Sequence, residues 1–152
     1  MTSRCDAKLE RARALGATHT LDASTDDAVA GVLELTGGGA DHVLEAAGVN
    51  RLAEQGLEML RPGGVLTLVG LPAQGTTISF DPTRFTPAEK SIRGSSVGSL
   101  RPRVDIPRYL TMYLRGQLEL DSLVSARIGL DGINEGFAAM QRGEVARSIV
   151  VF

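Results

Sequence analysis

Apolar positions change their period several times along the chain, and each change marks an element. Ala7, Leu9, Ala12 and Leu15 recur at helical spacing, and Gly16 follows where a helix C-cap belongs, which predicts a helix over 6–15. The alternating run 17–23, with Thr18, Thr20 and Leu21, reads as a short strand, and 26–36 reads as a helix stopped by Gly37-Gly38-Gly39. Residues 41–46 are again strand-like, and 52–60 carries helical apolar spacing. Val65-Leu66-Thr67-Leu68-Val69 is a near-continuous apolar strand after a turn at Pro62-Gly63-Gly64. Beyond Pro72 a Thr/Pro-rich stretch leads to a strand over 91–97, a helix over 103–115, a strand over 124–128, a helix over 131–141 and a strand over 147–152. Strands and helices alternating at these lengths predict a doubly wound α/β fold with parallel strands and helices on both sheet faces.

Composition narrows the class of protein. At 152 residues the chain fits one domain with a real core. The 18 acidic and 16 basic residues nearly balance without a basic run, so nothing points to a nucleic-acid surface, and small metabolites are the expected partners. Cys5 is the only cysteine, which excludes an internal disulfide, and no apolar run approaches a membrane span of about 20 residues. The charged start MTSRCDAKLERARAL has no signal-peptide core, and the expected location is a reducing cytoplasm.

Five separated segments carry a resemblance: AKLERARALGA, LTGGGADHVLEAAG, LRPGGVLTLVGLP, RGSSVGSLRPRVDIPRYL and INEGFAAMQRGEVARSIVVF. In this order they resemble the medium-chain dehydrogenase/reductase superfamily, specifically its zinc-dependent alcohol dehydrogenases. The resemblance implies a partial Rossmann domain over 1–98. A strand-helix-strand segment over 99–152 would rejoin a catalytic domain. Met1-Thr2-Ser3 would then be the end of the second Rossmann strand, with the first strand and the Gly-rich pyrophosphate loop upstream. No GxGxxG occurs, and the glycines of TGGGAD fall elsewhere. In the strand order 3-2-1-4-5-6 the first strand is central, so its loss predicts a gap in the sheet.

On the same resemblance, Ser3, Arg4 and Lys8 would face the adenine ribose. The absence of an acid there leans toward NADP over NAD, against an alternative in which these are solvated residues of a frayed terminus. Ala46, Ala47 and Gly48 end a strand at its carboxyl edge and would admit the nicotinamide ribose, or else serve tight strand-to-helix packing. Val69, Gly70 and Leu71 would meet the carboxamide, and Ser95, Ser96 and Val97 form a third segment in line with them. Arg147 would reach the pyrophosphate through charge-assisted contacts, or be an ordinary surface arginine. Asp41 and Glu45 share a strand face, yet a solvated carboxylate and a strand-end packing role suit them better than paired acid/base chemistry.

No catalytic residue is assigned, and none for metal: Cys5, His19 and His42 lack ligand spacing, and zinc is expected only in full-length relatives. The implied function is the NAD(P)-binding portion of an alcohol dehydrogenase, inactive alone. Alternatives are a noncatalytic nucleotide-binding or dimerisation remnant and a class I methyltransferase-like domain, suggested by LRPGGVLTLVG. Implied partners are a nicotinamide dinucleotide, a separate N-terminal catalytic fragment and a second copy paired through the strand 91–97. The unpaired strands should leave the isolated chain marginally stable or oligomeric.

Overall fold

In the computed structural model of the chain, residues 1–3, 5–142, 145 and 147–152 are described. The chain divides into two units: one is Ala23–Leu100, and the other joins Met1–Asp22 to Arg101–Phe152.

The continuous unit opens with helix α2 (Ala28–Thr36), whose start is set by Asp27. Its carboxylate accepts from the amides of Val29 and Ala30 at 3.0 and 3.1 Å, satisfying donors that the first turn leaves without partners. The predicted start at residue 26 moves inward for this reason. Gly37, at φ 66°, ends the helix in the left-handed conformation that its missing Cβ permits. Strand β3 (Ala40–Glu45), helix α3 (Asn50–Glu58), strand β4 (Leu60–Leu68), the single turn α4 (Pro82–Phe85) and strand β5 (Ser91–Gly94) follow. The three strands form one parallel sheet in the order β3-β4-β5.

The core of this unit lies between α3 and one face of the sheet. Ala53, Leu57, Leu60 and Leu66 are buried, and Val43, Leu68, Ile78, Phe85 and Ile92 pack against them. Leu66 is wholly buried, worth about 1.5–3 kcal/mol on general transfer values. Gly56 lets the helix approach, since a Cβ there would stand 3.0 Å from Leu66 Cδ1 and 3.1 Å from Val43 Cγ1.

Two expectations are corrected here. Pro62-Gly63-Gly64 is not a turn before the strand; it is an irregularity inside β4. Ala40 pairs with Leu60 and His42 with Val65, so β4 carries extra residues between the two rungs. The Gly63 amide is satisfied by Ala88 O at 2.8 Å, while Arg61 Nη1 holds Pro62 O at 2.8 Å. The strand expected over 91–97 stops at Gly94, because Val97, Gly98 and Ser99 take left-handed φ values of 49, 68 and 56°, which no β-ladder accepts.

In the discontinuous unit, β1 (Thr2–Ser3) pairs in parallel with β2 (Leu21–Asp22), and α1 (Asp6–Ala14) buries Leu9. The strand expected over 17–23 shrinks to two residues because its partner offers only two. Helix α5 (Pro102–Leu114) leads to β6 (Ala126–Ile128), α6 (Ile133–Gln141) and β7 (Ser148–Val150), with β6 and β7 parallel. Arg11 Nη1 donates to Ser125 Oγ at 2.8 Å, so the two ends of the chain meet in this unit. Among the described residues the strands form three separate parallel sheets, with no ladder joining β2 or β1 to β3.

Candidate functional site

Parallel register places three chain segments on one edge. Glu45 pairs with Leu68, and Leu68 with Gly94, so the strands end level and release Ala46, Val69 and Ser95 side by side. The alignment continues past the ladder: Val69 and Gly70 amides donate to Glu45 O at 2.8 and 2.9 Å, and the Ser95 amide donates to Leu68 O at 2.9 Å. In open α/β sheets this carboxyl edge is where ligands bind.

Glu45 organises the edge. Its side chain is buried and accepts the amides of Ala47 at 2.8 Å, Gly48 at 3.1 Å and Val49 at 3.4 Å, fixing the loop that leads into α3. Of the two roles expected on this strand face, the strand-end packing role falls to Glu45, while Asp41 is the exposed carboxylate. Sequence reasoning missed how much rests on this residue. A signal was available: an acid closing a strand directly before Ala-Ala-Gly stands where consecutive amides need an acceptor.

The two glycines of the edge face each other. A Cβ on Gly70 would stand 2.1 Å from the Gly48 nitrogen, and one on Gly48, at φ 71°, would stand 2.5 Å from Leu71 O. Both are therefore required by backbone contact within the protein. Around them Ala46, Ala47, Val69 and Leu71 are exposed, Leu71 at 94%, so the edge presents small and apolar groups to solvent. Ser95 is half-buried, while Ser96 and Val97 are exposed on the left-handed turn.

The remaining candidates belong to the other unit. Ser3 Oγ accepts the Cys5 amide at 3.3 Å just before α1, and Lys8 is half-buried in the first turns of that helix. Arg4 lies outside the described residues. The exposed Arg147 precedes β7; its carbonyl accepts the Ser125 amide at 2.8 Å, and its side of the unit borders an apolar cavity of about 170 Å³ with Phe137 and Met140. Asp41 is engaged by Arg61, whose Nε donates at 2.8 Å, and this hydrogen bond holds its carboxyl below the ordinary carboxylate range. Among the described residues no three His, Cys, Asp or Glu side chains gather to hold a metal ion, so the donors present do not fit zinc. No helix among them is long and apolar enough to cross a membrane.

The sequence profile of the zinc-binding dehydrogenases matches residues 1–115. The chain belongs to that family. It is 35% identical over 148 residues to the NDMA-dependent alcohol dehydrogenase of Amycolatopsis methanolica, an alignment that covers 95% of this chain and 40% of that protein. It is 31% identical over 147 residues to alcohol dehydrogenase 2 of Zea mays, covering 95% and 38%. Benzyl alcohol dehydrogenase from Acinetobacter calcoaceticus superposes with a TM-score of 0.93 at 33% identity, over 98% of this chain and 41% of that one. A Sinorhizobium meliloti 1021 protein described as a zinc-binding dehydrogenase, solved bound to NADP, superposes with a TM-score of 0.78 at 30% identity, covering 88% and 39%. The chain thus spans about two fifths of the length of these relatives, and the parallel α/β fold is the one they share. The methyltransferase alternative is set aside by this match.

Proposed function

We propose that the chain is the cofactor-binding portion of an NAD(P)-dependent alcohol dehydrogenase and does not oxidise alcohol by itself. The level carboxyl edge of β3, β4 and β5 carries the reading, because it brings three of the candidate segments into one line of backbone. When bound, a nicotinamide dinucleotide accepts or donates a hydride. Ala46–Gly48 and Val69–Leu71 would lie against its nicotinamide half, with Ser95–Val97 beside them. Ser3, Arg4 and Lys8 would serve the adenine ribose and Arg147 the pyrophosphate. The absence of an acid beside Ser3 favours NADP. The NADP bound to the Sinorhizobium meliloti relative is in keeping with that preference. In this reading residues 1–98 form the Rossmann portion and 99–152 the segment that joins a catalytic domain. The protein is cytoplasmic, as its single cysteine suggests.

The test is a titration with NADPH and NADH, read by nicotinamide fluorescence and thermal shift, with and without a polypeptide carrying the missing part of the relatives. Saturable binding that favours NADPH, with alcohol oxidation only when the second polypeptide is present, is the expected outcome. Absence of binding in every arm sinks the proposal. A second reading, a dimerisation module, draws on β5, which pairs only with β4 among the described residues and leaves its other edge open to a second copy. Concentration-dependent dimerisation without nucleotide binding would favour it.

A further inference from the structure

The opposite edge of the same sheet holds a different kind of site. Where β4 begins and β5 is about to begin, a cavity of about 250 Å³ opens between α3, the stretch before α4 and Lys90. Its apolar wall is made by Leu57, Leu60, Phe80 and Phe85, the two rings lying 4.8 Å apart between centroids. Lys90 Nζ, half-buried, donates to Leu57 O at 2.8 Å in the last turn of α3.

We propose that Lys90 is an amine nucleophile held in this cavity, and that it forms a reversible imine with small apolar aldehydes. The charges of the lining disfavour an anionic electrophile. Glu54 and Glu58 of α3 and Asp81 before α4 face two cations, Arg84 and Lys90. Two of the three carboxylates are already engaged, since Glu54 accepts the Ser79 amide and Asp81 the Thr83 amide, each at 2.8 Å. Three carboxylates against two cations leave the lining negative, which disfavours an anionic aldehyde, while the Leu and Phe wall favours an apolar body.

Nucleophilicity needs the uncharged amine. Burial lowers the Lys90 pKa first and the charge of Arg84 lowers it further, against the opposing pull of Glu58. The hydrogen bond to Leu57 O survives deprotonation, because the neutral amine still has hydrogens to donate and a lone pair to attack with. Nζ adds to the carbonyl carbon, the nitrogen gives up two protons over the sequence, and the carbonyl oxygen leaves as water. Added cyanoborohydride then delivers hydride to the C=N bond and fixes the adduct as a secondary amine. The site needs no nicotinamide, so this inference stands apart from the cofactor reading.

The chain has two lysines, which gives an internal standard. The folded protein is incubated with benzaldehyde and cyanoborohydride at neutral pH, and adducts are quantified by peptide mass spectrometry. Lys90 should be labelled about threefold or more faster than Lys8, and the excess should vanish in concentrated guanidinium. Glycolaldehyde, which has no apolar body, should show a smaller excess. Glu58→Gln should speed labelling of Lys90 and Arg84→Gln should slow it, with circular dichroism confirming that both variants fold. Labelling of Lys90 no faster than of Lys8, or an excess that is the same for both aldehydes, would overturn the proposal.

Discussion

A carboxylate that accepts three consecutive amides is harder to replace than one that faces water. Removing the Glu45 side chain strips acceptors from Ala47, Gly48 and Val49 at once. Glu45→Ala should therefore lower stability by about 1–3 kcal/mol in urea unfolding, and Glu45→Gln by less, since the amide keeps one oxygen and the shape. Steric demand can be isolated with two glycines that both avoid positive φ. Gly70→Ala would push a methyl into the Gly48 backbone and should cost about 1–3 kcal/mol, whereas Gly94→Ala, with nothing within 4 Å of its Cβ, should be near neutral. Equal effects at the two positions would contradict the close approach. How far single residues could be read in advance followed their range of interaction. Gly37 as a helix stop was visible, because a C-cap is a local matter of backbone conformation. The partner of Gly70 was not, because it sits on another strand and no spacing along the chain announces it.

At the level of elements, caps and registers decide where things begin. Asp27→Ala should destabilise α2 by about 1 kcal/mol, seen as faster amide exchange across Ala28–Gly31. The irregularity in β4 is clasped by Arg61, which holds both Asp41 and its own neighbour's carbonyl. Since Arg61 depresses the folded pKa of Asp41, its contribution is fully present above the ordinary carboxylate pKa and fades as pH falls through the lower folded value. The urea midpoint of the parent should thus exceed that of Asp41→Asn near neutrality and converge with it in acid; a gap that widens in acid would refute the pairing. Alternation and apolar runs sufficed to find α1, α2, α3, β3 and the apolar half of β4. They failed at Pro62-Gly63-Gly64, where turn-forming residues bulge a strand without ending it. They failed again at Val97, where a β-branched residue takes a left-handed conformation that propensity argues against.

Over the whole chain, apolar exposure is the dominant fact. Leu44 in β3 and Leu110 and Leu114 in α5 are exposed at 67, 53 and 82%, and among the described residues β3 is paired on one side only. Surfaces of this kind seek cover, so the chain alone should sediment as oligomers or bind a hydrophobic dye; a sharp monomeric unfolding transition without dye binding would contradict that. The fold class could be anticipated, because parallel strands follow from the alternation and the resemblance. The division into units could not, because it depends on contacts between residues more than 100 positions apart, such as Arg11 with Ser125. That division also sets an order of events during synthesis. Ala23–Leu100 is complete while the ribosome is still adding α5, whereas Met1–Asp22 must wait for the partners in Arg101–Phe152, such as Ser125, to be translated. Residues 1–22 are thus made before Ala23–Leu100 yet find their neighbours after it, and until then their α1 surface is available to chaperones.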